Sequence, residues 1–367
     1  MFCTFPRFIL VPLFALAAAL PAVADHESAQ NILEQPEKFK AIAHALKPSV
    51  APKPLQASQN TALKDRIKAA SSDIEGRLFS VLVFDKDEVV YENYANGAKA
   101  DSQLSAYSMT KSFTSLAVGE ALCSGKIKSL DDLAVTYVPE LAGTVYGAAS
   151  IKNLLRYTSG GPDPGGAGYS GVHDRNVWIS MLQGRISLLE MIKTHGAPGR
   201  FKAGEKFIYN GLDSETLSLV VRAATGMSLP QWFESTVWQK SGAESAATWR
   251  VDKEGNGIAE TYAFVSPRDA ARIAMYVVDR LNDKSTDACM NAYVREAASP
   301  LVAKGYWGSA PHWGYALHTG ADGNTWFFGH SAQRVGINRK TGRILVTNGF
   351  TEWSGFDANV QKLLAVN

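Results

Sequence analysis

Two apolar segments separated by a short charged stretch predict a β-hairpin in the first third of the chain. Residues 78–84 and 89–94 are rich in β-branched and aromatic side chains, and the residues between them, 85–88, are all charged. Apolar runs of this length bounded by a polar turn are typical of strands. Just upstream, the apolar spacing in residues 62–70 predicts a helix.

A second helix is predicted to begin near Ser108, directly after the hairpin. Its apolar positions follow helical spacing and are Phe113, Leu116, Ala117, Ala121 and Leu122. From there to about residue 251, helical patterns alternate with glycine-rich loops. They predict helices at 150–157, 187–194, 214–225 and 229–239.

The last third of the chain returns to strand patterns after one more helix. Ser266 is a favourable N-cap and Pro267 suits a first turn, which predicts that helix at 267–281. Strands are then predicted at 313–318, 325–330, 334–338 and 343–348, with a final helix at 358–366. Because strands occur at both ends of the chain, we expect an α+β fold, with one antiparallel sheet flanked by helices.

These patterns divide the chain into a leader, an arm and one catalytic domain. Residues 25–60 are polar and proline-rich, and we expect a mostly extended arm with a short helix near 41–46. The domain would span residues 61–367. We expect its α/β part at 61–129 and 262–367, and an inserted all-helical region at 130–261.

The N-terminus has the features of a cleavable secretory signal in residues 1–24. Arg7 precedes the apolar run 8–20, and Ala22-Val23-Ala24 forms a small-residue cleavage site. We expect cleavage after Ala24 and export to the periplasm or the medium. No later segment is apolar enough for an integral membrane span.

Signal cleavage would leave two of the three cysteines in the mature protein. Cys3 lies in the signal, and Cys123 and Cys289 remain. An oxidising compartment would permit a disulfide between them. Two buried free thiols are equally compatible with the sequence, because spacing does not show whether they meet.

Composition excludes some partners. Of 367 residues, 46% are hydrophobic and 20% are charged, which is an ordinary globular profile. A net charge of +2 gives no reason to expect nucleic acid as a partner. The histidines show no metal-ligand spacing, and we expect no metal and no cofactor. The oligomeric state stays open.

The predicted Ser108 helix carries candidate chemistry at its start. Ser108-Met109-Thr110-Lys111 is an S-x-x-K quartet, and its Ser and Lys lie one turn apart on the same helical face. A lysine amine next to a serine hydroxyl is the arrangement that activates a serine nucleophile. The free N–H donors at a helix N-terminus would also suit an oxyanion.

The serine needs a proton acceptor, and two routes are open. A free lysine has a pKa of about 10.4, so Lys111 would act as a base only if its pKa fell to near ~7. Alternatively, Lys111 stays charged and a tyrosine phenolate takes the proton. Tyr209, on the loop before the predicted 214–225 helix, is the candidate, and Tyr157 is a rival that helix-end packing would also explain.

Three motifs in order resemble those of class C β-lactamase-type serine hydrolases. They are Ser108-x-x-Lys111, Tyr209-Asn210 and Gly329-His330-Ser331-Ala332-Gln333. The sequence around these motifs is most similar to the 6-aminohexanoate-dimer hydrolase branch of that family, and the resemblance covers residues 62–366. It implies a β-lactamase/transpeptidase-like fold of the penicillin-recognising kind.

The resemblance also implies roles. Ser108 would be the nucleophile, and Lys111 and Tyr209 would share proton transfer. The backbone N–H groups of Ser108 and Gln333 would form the oxyanion hole. The remaining candidate substrate contacts are His330, Ser331 and Asn210, with His330 at the position of the lysine in the K-T-G version of the third motif.

Two departures from the family pattern affect the expected substrate. Gly211 stands where the lactamases have Asn, and Ala332 stands where they have Gly. Both positions would hold the β-lactam amide and carboxylate, so efficient antibiotic hydrolysis is not expected. A literal Lys340-Thr341-Gly342 lies between two predicted strands and is better explained as a hairpin turn.

We therefore expect an exported serine hydrolase that cleaves a small ester or linear amide through an acyl-enzyme on Ser108. Tyr169, in the glycine-rich loop 160–171, would be a substrate clamp or a merely exposed side chain. Rival functions are a β-lactamase or D-alanyl-D-alanine carboxypeptidase, and a non-catalytic penicillin-recognising binding protein.

Overall fold

The computed structural model describes residues 42–85, 87–163, 175–304, 309–350 and 352–366. The predicted signal segment, residues 25–41 of the arm and Tyr169 lie outside these residues. Within the part of the chain that the structure describes, every helix is too short or too polar to span a lipid bilayer.

Strands occur in both halves of the chain. They are β1 (Ile42–Leu46), β2 (Gln56–Ala57), β3 (Leu78–Asp85), β4 (Glu88–Tyr94), β5 (Leu104–Ser105), β6 (Ala247–Val251), β7 (Ala263–Val265), β8 (Val302–Ala303), β9 (His312–Trp313), β10 (His318–Thr319), β11 (Thr325–Gly329), β12 (Gln333–Ile337) and β13 (Ile344–Gly349).

Helices alternate with loops in the remaining described chain. They are α1 (Thr61–Glu75), α2 (Met109–Cys123), α3 (Val145–Ala148), α4 (Ile151–Arg156), α5 (Arg175–Leu182), α6 (Leu188–Thr194), α7 (Gly211–Thr225), α8 (Leu229–Phe233), α9 (Gln239–Ser241), α10 (Pro267–Leu281), α11 (Ala288–Ala297) and α12 (Phe356–Leu364). A π-helical stretch, Glu234–Trp238, joins α8 to α9.

The large sheet combines strands from the two ends of the chain. Among the described residues its order is β2-β4-β3-β13-β12-β11-β10-β9-β8. The predicted hairpin is confirmed as β3 and β4, and β3 pairs antiparallel with β13, so the two chain ends meet in one sheet. Only β2 with β4 pairs parallel among these neighbours, so the sheet is mixed rather than purely antiparallel.

A smaller sheet, in the order β1-β6-β7-β5, corrects two predictions. Residues 42–46 are a strand rather than a helix, and they pair with β6 from Ile42 opposite Val251 to Leu46 opposite Ala247. Because β6 lies in the region expected to be all-helical, that region contains strand as well. Long-range pairing outweighs the helix propensity of alanine and leucine here.

Other differences are local. The predicted strand at 313–318 consists of two short strands, β9 and β10, which pair antiparallel with each other. Helix α11 has no counterpart among the predictions. Helix α10 agrees in bounds with its prediction, and the Ser266 hydroxyl accepts from the Asp269 N–H as the cap.

Helix α2 lies at the centre of the core and presents the site. All its residues from Met109 to Ala121 are buried. The Phe113 ring lies 5.7 Å from that of Phe233 and 6.3 Å from that of Phe327, so α2 contacts both the helical region and the large sheet. A disulfide joins Cys123, at the end of α2, to Cys289 in α11.

Candidate active site

A sharp turn before α2 presents Ser108. The Ala106 N–H donates to the Ala263 carbonyl at 2.8 Å, which ties the chain to the small sheet one step before the turn. Tyr107 then adopts φ +45°, a left-handed conformation that costs a non-glycine residue on the order of 1–2 kcal/mol. Ser108 follows as the N-cap of α2 and is half-buried. A strained residue at this place is typical of a functional turn.

The structure brings Ser108 and Lys111 together. The Lys111 Nζ donates to the Ser108 Oγ at 3.0 Å. It also donates to the Glu260 carbonyl at 2.7 Å, and its side chain is only 3% exposed. The amine is therefore fixed between the start of α2 and the segment that joins β6 to β7.

Tyr209 is the third group at this point. Its hydroxyl forms a hydrogen bond with Lys111, and its ring centre lies 5.1 Å from the Nζ. The ring stacks on Tyr157 at 5.6 Å and meets the Trp313 ring edge-on at 5.9 Å. Lys111 thus contacts both the hydroxyl of Ser108 and the phenol of Tyr209.

The charge of Lys111 follows from its surroundings. Burial lowers the pKa of Lys111, whereas its interactions with Tyr209 and with the Glu260 carboxylate raise it. Glu215 adds a smaller effect in the same direction, and the net pKa lies above the ordinary lysine value. Lys111 is therefore an ammonium at neutral pH, which favours the route through a tyrosine phenolate.

Two buried glutamates near Lys111 were missed by the sequence reasoning. The Glu260 carboxylate lies 3.7 Å from the Lys111 Nζ and is 2% exposed. The Glu215 carboxylate accepts the N–H groups of Ala259 at 2.9 Å and Glu260 at 3.2 Å. No fixed spacing links these glutamates to Lys111 along the chain, so no motif could have identified them.

The third motif forms a tight hairpin beside the nucleophile. Gly329 and Gln333 pair across the ends of β11 and β12. Between them, Ser331 and Ala332 adopt φ +59° and +68°. The His330 side chain is exposed, and its ring lies 5.8 Å from that of Tyr107.

The side chain of Gln333 is held inside the hairpin. Its Nε2 donates to the carbonyls of Ser331 at 2.8 Å and Gly349 at 2.7 Å. The Asn348 amide donates to its Oε1 at 2.8 Å. Because the Gln333 side chain makes these hydrogen bonds, only its backbone is left to contact a substrate.

Asn210 has a different place from the one expected. It is the N-cap of α7, and its Oδ1 accepts from the Leu212 N–H at 2.9 Å. Its Nδ2 donates to the Tyr146 hydroxyl at 2.8 Å and the Pro162 carbonyl at 2.9 Å. All three hydrogen bonds of this buried amide are made within the protein, at the residue that follows Tyr209 in the chain.

Tyr157 is a packing residue. It ends α4 in a left-handed conformation, is fully buried, and shares a hydrogen bond with the hydroxyl of Ser214. Burial raises its pKa well above the ordinary tyrosine value, which makes it a poor proton acceptor. The Lys340-Thr341-Gly342 segment is the turn between β12 and β13, as predicted, with Gly342 at φ +76°.

No group of three or more His, Cys, Asp or Glu side chains is arranged to hold a metal ion in the described part of the chain. The side chains that meet at the site are a hydroxyl, an ammonium, a phenol and two buried carboxyls.

Comparison with known proteins finds a matching family model and a curated relative. The model of the Beta-lactamase family matches residues 68–367. The chain is 28% identical over 231 residues to a 6-aminohexanoate-dimer hydrolase of Paenarthrobacter ureafaciens, a match that covers 59% of this chain and 57% of that protein. The chain thus matches somewhat more than half the length of this curated relative.

Solved structures show the same fold. A putative 6-aminohexanoate-dimer hydrolase from Bacillus anthracis has a TM-score of 0.76 at 18% identity and covers 94% of both chains. EstCE1, a hydrolase with promiscuous acyltransferase activity, has a TM-score of 0.67 at 15% identity and covers 83% of this chain and 98% of its own. The expected β-lactamase/transpeptidase-like fold is confirmed.

Proposed function

The chain belongs to the Beta-lactamase family, and from this premise we propose that it is a serine hydrolase of small esters or linear amides that acts through an acyl-enzyme on Ser108. The observation that carries the proposal is the 3.0 Å hydrogen bond from the Lys111 Nζ to the Ser108 Oγ. Tyr209 is hydrogen-bonded to the same amine. This arrangement brings together a nucleophile, a cation and a base, as acyl transfer requires.

Acylation starts with proton transfer from Ser108 to the Tyr209 phenolate, while the Lys111 ammonium stabilises the negative charge. The Ser108 Oγ bonds to the carbonyl carbon of the substrate and forms a tetrahedral intermediate. The backbone N–H groups of Ser108 and Gln333 are the proposed donors to its oxyanion, and one such donor typically contributes about 3 kcal/mol.

The intermediate collapses with loss of the alcohol or amine, which takes the proton from Tyr209. A water molecule then gives a proton to Tyr209 and attacks the acyl carbon. Ser108 leaves with a proton returned by Tyr209, so the acid is released and the enzyme regains its starting state.

The departures in the second and third motifs support esters and linear amides over β-lactams. Gly211 opens α7 and offers no side chain to hold a β-lactam amide. Ala332, at φ +68°, stands where the lactamases have Gly in the third motif. The similarity to a protein named 6-aminohexanoate-dimer hydrolase supports a linear amide among the substrates.

Export is part of the proposal. The signal pattern in residues 1–24 supports it, as does the disulfide between Cys123 and Cys289, because such bonds persist in oxidising compartments.

Four residues are also proposed to contact the substrate. They are His330, Ser331 and Gln333 of the third motif and Tyr169 of the glycine-rich loop.

The experiment is labelling with a fluorophosphonate probe and a comparison of three substrates. Peptide mass should place the adduct on Ser108. Turnover of p-nitrophenyl butyrate and a linear amide should exceed that of nitrocefin. Rapid nitrocefin turnover would instead support a β-lactamase, and a protein without an adduct would be the non-catalytic binding protein.

A further inference from the structure

We propose that Glu260, held in place by Glu215, is a positioning residue that fixes the Lys111 amine beside Ser108 and keeps it in its ammonium form. This inference rests on the proposed function of the site. It adds to that mechanism a residue that acts on Ser108 only through Lys111.

The hydrogen-bond geometry of Lys111 is the first support. An ammonium has three N–H donors, and Lys111 contacts three oxygens: the Ser108 Oγ at 3.0 Å, the Glu260 carbonyl at 2.7 Å, and the Tyr209 hydroxyl. The carbonyl of Glu260 can only accept. One N–H of Lys111 is therefore committed to this carbonyl, which fixes the amine between Glu260 and Ser108.

The position of the Glu260 carboxylate is the second support. It lies 3.7 Å from the Lys111 Nζ, and neither side chain is more than 3% exposed. Water screens such a buried pair poorly, so the negative charge strongly favours the charged amine. Glu260 therefore approaches Lys111 with both its backbone and its side chain.

Glu215 explains why Glu260 stays in this position. Its two carboxyl oxygens accept the N–H groups of Ala259 and Glu260, which orders the segment that carries both contacts to Lys111. Burial, and next the charge of Glu260, raises the pKa of Glu215 well above its usual range. Glu215 thus holds the backbone of Glu260, whose carboxylate lies beside the Lys111 Nζ.

Titratable groups on four different elements act on Lys111. Tyr209 lies on the loop before α7, Glu215 on α7, Glu260 on the segment between β6 and β7, and His318 on β10. His318 is buried, and burial together with Lys304 lowers its pKa well below the ordinary value. It is therefore neutral, and the two glutamates and Tyr209 determine the charge of Lys111.

The test is the pH profile of kcat/KM for p-nitrophenyl butyrate in Glu260→Gln and Glu260→Asp. Loss of the buried negative charge beside Lys111 removes stabilisation of the protonated site, so the acid limb of Glu260→Gln should move to lower pH by about one unit or more. Glu260→Asp should keep the wild-type limb. Glu254→Gln, an exposed change in the same segment, is the matched control and should leave the profile unchanged.

An acid limb that stays in place in Glu260→Gln while the rate falls equally at every pH would overturn the inference. If Glu260→Gln does not fold, NMR titration of the Lys111 side chain in the wild-type protein decides. A neutral amine at the pH of maximal activity overturns the inference, and an ammonium supports it. Fluorophosphonate labelling of Ser108 separates the two proposals, because a wild-type protein without that adduct refutes the proposed function itself.

Discussion

Gly329 packs directly against the backbone of Ala106, since a Cβ on Gly329 would lie 2.4 Å from the Ala106 carbonyl oxygen. This contact joins the hairpin of the third motif to the turn that presents Ser108. The contact thereby fixes the relative position of two motifs that are more than two hundred residues apart in sequence. Only a glycine allows this approach.

Gly329→Ala should therefore damage the site more than the fold. The new methyl group would push the hairpin away from Ala106, and we expect kcat/KM to fall by about 100-fold, as for a misplaced catalytic group. Overpacking should cost about 1–3 kcal/mol of stability. Enzyme assays and urea unfolding check both effects.

Gly76→Ala is the matched control for that variant. Gly76 has φ −65° and open space around its Cβ position, so alanine should fit there without loss of activity. Full activity in Gly329→Ala would show that the close contact does not align the hairpin with Ser108.

Asn210→Ala tests whether the cap of α7 positions Tyr209. Loss of an N-cap side chain costs about 1–2 kcal/mol of stability, and loss of its bonds to Tyr146 and Pro162 should let Tyr209 move. We expect a lower kcat in assays with p-nitrophenyl butyrate. Ser187→Ala removes the cap of α6 and should cost stability without changing kcat. Equal kcat values in both variants would make Asn210 a cap and nothing more.

Patterns within one element could be predicted from the sequence, and Ser108 with Lys111 is the main example. The two residues lie one turn apart, so any helix over this segment brings their side chains together, as the 3.0 Å contact shows. The β3–β4 hairpin and α10 were predictable for the same reason. Their turns and caps are encoded within a few residues.

Contacts between distant segments could not be predicted in this way. Strand β1 needs β6 as its partner, about two hundred residues later, and residues 42–46 alone favour a helix. Glu260 lies 149 residues after Lys111, and its backbone donates to Glu215 from yet another element. Asn210 looked like a substrate contact, but burial and three hydrogen bonds commit it to the protein.

The disulfide should contribute to stability through the unfolded chain. It joins Cys123 and Cys289, which are 166 residues apart, and a cross-link over a long loop typically contributes about 2–5 kcal/mol. Urea unfolding with dithiothreitol should therefore show a lower midpoint than unfolding without it. A double Cys123→Ser, Cys289→Ser variant should not respond to the reductant. A wild-type midpoint that is equally insensitive would contradict this prediction.

The buried Lys304 should make stability depend on pH. Burial lowers the pKa of Lys304 to about 7, while nearby Asp357 opposes this. An unfolded lysine has a pKa of about 10.4, so from about pH 7 to pH 10 the unfolded chain binds more protons at this site. The free energy of unfolding should rise with pH in this window, by at most about 1.4 kcal/mol per unit.

Urea unfolding of the wild type and of Lys304→Met across this pH range measures the effect. The wild-type free energy of unfolding should rise more steeply with pH than that of the variant, because methionine does not titrate. Identical slopes in the two proteins would show that Lys304 has an ordinary pKa in the folded state.

Trapping the acyl-enzyme tests the central claim most directly. Wild-type protein mixed with p-nitrophenyl butyrate and quenched within the first turnover should carry one butyryl group on the peptide that contains Ser108. Lys111→Ala and Tyr209→Phe should each slow its formation by at least about 100-fold, the size of a general-base loss. A butyryl group on another residue, or wild-type turnover by Ser108→Ala, would contradict the assignment of Ser108 as the nucleophile.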